Sequence, residues 1–313
     1  MVCSATPNAA AATDEKCDGI DNDCDGKIDE RDDNLGSAPI KCAGNNCKGY
    51  KDPMVQVQMK ACTCTGNAQC PTGYTCATTG TYNGRCVEGA GSPQACTADA
   101  QCTGGGGGRC SNFGSAFYIY AYEASRPGAT SGSAGVDNAD PALRRACSIT
   151  NTMPWTNVQQ DDAAAACALI KDSAGNAMRL CTEGEWQAAC LGSTKGGDPQ
   201  WSQTLTPNTF IDDGTNANAC NAENPSGAVV ATGSRSVCAA NFGSTNNVYD
   251  MTGNVIEWTS TSVVSTGTTY YRMRGGAYNS PRDGAACEYS FNLGRDDYVN
   301  SNVGFRCCSN AAP

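Results

Sequence analysis

Twenty-two of the 313 residues are cysteine, and that density constrains the chain more than any other feature. Reducing cytosol does not normally accumulate thiols at this level, whereas oxidising compartments do. The expected location is therefore extracellular or at the cell surface. The opening residues MVCSATPNAAAATDE carry neither a basic n-region nor a Leu-rich apolar core, so the expectation is that an export signal is missing from this numbering or already removed. The even count lets every cysteine pair, although spacing alone does not fix the connectivity.

A second absence narrows the chemistry. The chain has no histidine, which removes imidazole as general base, proton shuttle or metal ligand, and with it Ser-His-Asp and Cys-His catalysis, HExxH zinc sites and His-ligated haem. The formal net charge is -10, from 31 acidic and 21 basic side chains, and no basic stretch offers a footprint for nucleic acid or anionic membranes. No apolar run approaches the ~20 residues of a membrane-spanning helix. There is no Asn-x-Ser/Thr sequon with an allowed middle residue, which fits a bacterial exported protein better than a eukaryotic one.

Cysteine distribution suggests three regions. Thirteen cysteines lie in residues 1–110 and nine from Cys147 onward, where all four Trp also reside. We expect an acidic motif at 1–35, a disulfide-stapled region at 36–112 and a domain with a true apolar core at 113–313. Both halves hold an odd number of cysteines, so one bridge is expected between them, or else an intermolecular pair, with Cys3 and Cys147 the least determined.

Residues 14–33 concentrate the acidity: ten acidic and three basic side chains. Asp21, Asp23, Asp25, Gly26, Asp29 and Asp32 read as D-x-D-x-D-G-x-x-D-x-x-D. Alternate carboxylates converge, Gly makes the sharp turn, the Lys27 carbonyl supplies the next oxygen and later carboxylates close the shell, which is the pattern of a calcium loop. Apolar helical periodicity is missing on both sides, and Cys17 with Cys24 is expected to staple the loop instead. The string resembles a thrombospondin type 3 repeat or the C-D-G-x-D-N-D-C-D-G-x-x-D-E metal-binding motif of secreted bacterial proteins, which implies calcium in a structural role.

Between Cys64 and Cys110 two copies of a C-x5-C pattern ending in G-R-C follow one another. Turn residues replace apolar alternation, so disulfides must stand in for a core. A spacer and a ligand-binding module are both consistent with this composition. Further on, FYIYAYEAS alternates as a strand, DDAAAACALI reads as a helix with acidic residues in its first turn and TEGEWQAAC as a second helix. Beyond Ala189, long stretches of Gly, Asn, Ser and Thr hide the elements.

Four strings occur in order: FYIYAYEASRPGA at 117–129, RLCTEGEWQAAC at 179–190, YDMTGNVIEW at 249–258, and MRGGAYNS at 273–280 with GFRCC at 304–308. Together they resemble the formylglycine-generating enzyme (sulfatase-modifying factor) family. The resemblance implies an α+β fold of the C-type-lectin-like class. Family oxidases carry two copper-binding redox cysteines spaced C-x4-C shortly after R-G-G; aligned from Arg274, Gly275 and Gly276, these fall on Ser280 and Ala285. Iron-dependent relatives need a His cluster. The resemblance therefore implies the fold without the oxidase. It also implies a structural calcium held by Asp250, Glu257 and the carbonyls of Gly253 and Val255, and disulfides joining Cys190 to Cys287 and Cys167 to Cys307; of the remaining cysteines, Cys181 with Cys308 and Cys220 with Cys238 are the expected pairs. Arg179, Glu183 and Glu185 read as an ion network orienting the motif helix. The sugar-binding tripeptides E-P-N and Q-P-D are absent. The expected role is non-enzymatic: a structural subunit of an extracellular fibre or coat, or an adhesive or ligand-binding scaffold that self-associates or meets other surface proteins. The alternative is an oxidase acting on a protein cysteine.

Overall fold

The computed structural model describes residues 52–70, 74–80, 83–87, 102, 109–135, 144–192, 220–223, 226–242, 246–287, 289 and 292–312. Two four-stranded sheets and two helices form its frame. The first sheet takes β1 (Met54–Val57), β2 (Phe117–Tyr120), β3 (Arg179–Leu180) and β8 (Cys307–Ser309) in the order β1-β2-β8-β3, all antiparallel. The second takes β4 (Ile256–Ser265), β5 (Thr268–Arg274), β6 (Leu293–Gly294) and β7 (Val303–Phe305) in the order β6-β5-β4-β7, with β4 and β7 parallel. Shorter ladders join Lys60–Cys62 to Cys110–Asn112, Thr75–Cys76 to Cys86–Val87, Ala124–Ser125 to Cys147–Ser148 and Ala239–Asn241 to Asn247–Tyr249.

Strand alternation distributes the first sheet's side chains between two cores. Val55, Val57, Phe117 and Ile119 point into one, with Trp186, Leu191, Val248 and Met251. Tyr120 and Leu180 point into the other, with Trp155, Met178, Trp258 and Phe305. Each such side chain, fully buried, contributes roughly 1.5–3 kcal/mol. The strand Met54–Val57, placed by sequence in the region 36–112, thus belongs to the large domain's sheet: its V-Q-V alternation supplies two of the buried valines.

Helix α1 (Gln160–Ala168) carries Asp161 and Asp162 in its first turn, where their charge suits the positive end of the helix dipole. Helix α2 (Glu183–Leu191) opens on a capping box: the Thr182 hydroxyl accepts from the Glu185 N–H and the Glu185 carboxylate accepts from the Thr182 N–H. It buries nearly its whole length, Trp186 completely.

Disulfides lock these elements. Adjacent Cys307 and Cys308 on β8 face opposite cores, so one reaches Cys167 on α1 and the other Cys181 just before α2. Cys190 on α2 is bonded to Cys287, and Cys220 to Cys238. In the cysteine-rich part, Cys62–Cys102, Cys64–Cys76 and Cys70–Cys86 pack sulfur on sulfur where a larger domain would have side chains. Cys147 is also disulfide-bonded. The other eight cysteines beyond residue 113 pair among themselves.

Candidate functional site

The loop entering β4 is the family-like string Asp250 to Trp258. Asp250 and Asn254 both adopt φ 55°, and Gly253 φ 82°. The loop packs so closely on the segment at Asn221 that a Cβ on Gly253 would sit 2.4 Å from the Asn221 carbonyl oxygen. Only Gly avoids that contact. Asn254 is fixed from several sides: its N–H donates to the Asn221 carbonyl, its Oδ1 accepts from Asn221 Nδ2 and Val230 N–H, and its Nδ2 donates to Glu123.

A buried ion centre lies beneath this loop. Glu257, at the start of β4, accepts from Arg306 Nε through Oε1 (2.7 Å) and from Trp186 Nε1 through Oε2 (2.7 Å). The Arg306 guanidinium also donates to the Tyr120 carbonyl at 3.2 Å and to the Tyr249 carbonyl. Glu123, two residues after the Ala121 that follows β2, accepts from Asn254 Nδ2 (2.6 Å) and Val255 N–H (3.1 Å). Asp250 accepts from the Gly233 N–H at 2.6 Å. All these carboxyls are buried. Desolvation pushes Glu123 well above its ordinary range, with the negative charge of Asp250 adding to it. Burial likewise raises Asp250 to about 6, against the pull of the Gly233 N–H and Arg306. Glu257 is raised by burial and drawn back by Arg306 and Trp186.

Asp250 and Glu257, expected with the Gly253 and Val255 carbonyls to hold calcium, both meet protein donors here. Both oxygens of Glu257 are engaged by donors, one of them a guanidinium already supplying the positive charge, and Asp250 is turned to the Gly233 backbone. The guanidinium beside Glu257 is that of Arg306, brought 49 residues along the chain by the parallel pairing of β4 with β7, and calcium on this set stays an expectation. Asp21, Asp23, Asp25, Lys27, Asp29 and Asp32, with Cys17 and Cys24, lie outside the described residues.

The expected network of Arg179, Glu183 and Glu185 separates into two. Arg179 forms a bidentate pair with Glu185 (2.7 and 2.6 Å). Glu183 faces the other way, to Arg274 at 3.0 Å and Arg272 at 3.7 Å. Arg274 in turn lies 5.5 Å from the Trp186 ring centroid and donates to the Cys287 carbonyl. Successive residues on α2 point around the helix, which keeps the two carboxylates apart.

Where family oxidases place redox cysteines, the loop after β5 is built differently. The Ser280 hydroxyl accepts from the Ala277 N–H at 2.9 Å, and Ala285 is fully buried against Gly276. Cys287 is bonded to Cys190. Among the described residues, the grouping of Cys, Asp or Glu ligand atoms close enough to hold a metal is Cys64, Cys70 and Cys86, and all three are in disulfides. The sequence by itself does not mark Glu123, Arg306 or Asn254 as members of this centre. A carboxylate inside the apolar string FYIYAYEAS was the available signal for Glu123.

The family model for the sulfatase-modifying factor enzyme 1-like domain matches residues 75–311. Inactive C-alpha-formylglycine-generating enzyme 2 of Mus musculus is 31% identical over 166 residues, covering 51% of this chain and 50% of that protein. Its Bos taurus counterpart is 30% identical over 165 residues, again with 50% of each covered. The chain thus spans about half the length of the curated relatives it matches. Among solved structures, Treponema denticola variable protein 1 aligns with a TM-score of 0.46 and 15% identity over 85% of this chain and 98% of that one, and CarF with 0.44 and 15% over 83% and 98%. The fold is the α+β, loop-rich fold of formylglycine-generating enzymes, and the chain belongs to the sulfatase-modifying factor enzyme 1-like domain family.

Proposed function

We propose that this protein is a non-catalytic member of its family, exported and held rigid by disulfides and by calcium in its N-terminal acidic motif. It serves as a structural subunit of an extracellular fibre or coat, or as an adhesive scaffold that displays loops to a ligand. The observation that carries the reading is the chemistry at the family's redox positions: a serine hydroxyl at 280 tied to the backbone, a buried methyl at 285, and the nearby Cys287 consumed in a bridge. Copper oxidases of this family act through thiolates, and neither side chain supplies one. The names of the curated relatives, inactive enzymes, support the same reading. Incubation with copper and a Cys-x-Pro-x-Arg peptide tests it: no formylglycine is expected, and turnover would exclude it. Negative-stain images of the protein secreted by its native host separate fibre subunit from soluble binder.

A further inference from the structure

The cysteine-rich segment is an excursion from the first sheet. β1 and β2 are paired neighbours, and residues 60–112 depart and return between them, closed at the root by the ladder of Lys60–Cys62 with Cys110–Asn112. Its interior is made of sulfur: Cys62, Cys64, Cys70, Cys86 and Cys102 are buried together. Within it, Cys76 and Cys86 stand directly opposite on the ladder of Thr75–Cys76 with Cys86–Val87, and each is bonded elsewhere, Cys76 to Cys64 and Cys86 to Cys70. The Cys64 N–H donates to the Gly84 carbonyl, which holds Cys64 beside the same strand. The Cys64 sulfur consequently lies within 4.8 Å of both sulfurs of the Cys70–Cys86 bridge.

These two bridges differ in access. Cys64, Cys70 and Cys86 are buried, whereas Cys76 is half-buried and follows the exposed Thr75. Every other bridge described at both ends, Cys62–Cys102 and the four of the large domain, has both members buried. Among those bridges a thiol in solution therefore reaches Cys76 first, and the sulfur it displaces is the one that faces a second disulfide.

We infer that Cys64–Cys76 is a site of thiol–disulfide exchange whose displaced electron pair is relayed to Cys70–Cys86. An incoming thiolate bonds to the Cys76 sulfur, the Cys64–Cys76 bond breaks, and its electron pair leaves on Cys64. In an isolated bridge that thiolate has one reaction open to it, return to Cys76 with expulsion of the newcomer, favoured because the two are held together. Here Cys64 has a second target. Freed to turn about its χ1, it bonds to Cys70 or Cys86, and the other of the two leaves as a thiolate that takes a proton from water. One thiol is taken up and one emerges, with two disulfides before and after, so neither oxidant nor reductant is consumed. The ligand class is a thiol, small or carried on a protein. Among the described residues the chain has no free cysteine, so the incoming sulfur belongs to another molecule or to a residue outside them. The site lies apart from Ser280 and Ala285 and does not depend on what those positions do.

Reduced glutathione, and separately a thioredoxin variant that keeps only its attacking cysteine, test the inference on the full oxidised chain. After acid quenching and alkylation, non-reducing peptide mapping by mass spectrometry is expected to find the added thiol on Cys76, the alkyl label on Cys70 or Cys86, and a new bond from Cys64 to the other. Adducts on Cys76 should exceed those on the large-domain bridges at least about tenfold, because access governs exchange. Adducts from glutathione alone make the ligand a small thiol, and adducts from both probes extend it to protein thiols. No adduct on Cys76 from either probe, adducts no more frequent there than on the buried bridges, or a label confined to Cys64 with Cys70–Cys86 intact would overturn the inference. The wild-type chain suffices, so the folding of a variant does not enter the result. Exchange without turnover in the copper assay, or turnover without exchange, separates this inference from the non-catalytic reading.

Discussion

The Nε of Arg306 lies 2.7 Å from Oε1 of Glu257, and neither side chain is more than 1% exposed. A pair buried this deeply does not add much over a well-packed apolar substitute, but it is costly to break because the surviving charge has nowhere to go. Glu257→Gln keeps the shape and strands the guanidinium; Arg306→Met strands the carboxylate beside Glu123. Each is expected to cost about 3–5 kcal/mol in urea unfolding, and the double variant less than the sum. Strict additivity would show that the two residues do not act as a pair.

The same centre sets a pH dependence. Asp250 sits at about 6 in the fold against an ordinary value of 3.8, raised by burial. Its protonated form is favoured by folding, so its stabilising contribution is complete below the unfolded value and is lost as pH rises through about 6. The shift of about two units corresponds to roughly 3 kcal/mol, and Glu123 acts in the same direction. Unfolding free energy should therefore fall from about pH 4 to about pH 7, and Asp250→Asn should flatten that fall. Equal slopes for variant and wild type would remove Asp250 from the account.

Loop closeness gives a sharper contrast between two glycines. Gly253 and Gly267 have nearly the same φ, 82° and 80°, but a Cβ on Gly253 meets the Asn221 backbone at 2.4 Å whereas one on Gly267 meets nothing within 4 Å. Gly267→Ala should cost about 1–2 kcal/mol, the price of a left-handed residue, and Gly253→Ala at least twice that, because backbone must move. Similar losses in thermal unfolding would mean that the Asn254 loop yields.

Bridges can be ranked by what they enclose. Cys181–Cys308 spans 127 residues and Cys220–Cys238 spans 18. Chain entropy assigns about 5 and about 3 kcal/mol to loops of these lengths, and the long bridge also ties β8 to the entry of α2. Cys181→Ala with Cys308→Ala should lower the melting temperature more than Cys220→Ala with Cys238→Ala. The reverse order would indicate that the other bridges already close the long loop.

Local signals carried the helices and little of the second sheet. Asp161 and Asp162 ahead of an alanine run, and Thr182 three residues before Glu185, announce α1 and α2 from a few neighbouring residues. The β4–β5 hairpin shows no such pattern, because its outer half bears Ser and Thr on both faces and so lacks apolar alternation. β1 was hidden for another reason: four residues beside a cysteine-rich stretch read as part of it, and only pairing with Phe117–Tyr120 assigns them. The ion centre depends on contacts between distant residues. Glu123 meets Asn254 across 131 positions and Glu257 meets Arg306 across 49, so the motif Asp250 to Trp258 discloses a loop without disclosing the distant side chains that meet it.

Calcium bound to the folded chain alone stabilises it by mass action, roughly 2.7 kcal/mol when the free ion is a hundredfold above its dissociation constant. The oxygen-rich spacing of Asp21, Asp23, Asp25, Asp29 and Asp32 suits that ion, whereas Glu257 already has Arg306 beside it. Chelation should therefore lower the melting temperature of the full chain, and Asp23→Asn with Asp25→Asn should abolish the response while leaving the chelated melting temperature unchanged. A chelator response that survives in this variant would place the ion elsewhere and reopen the loop at Asp250. No response in the wild-type chain would remove calcium from the protein's stability altogether.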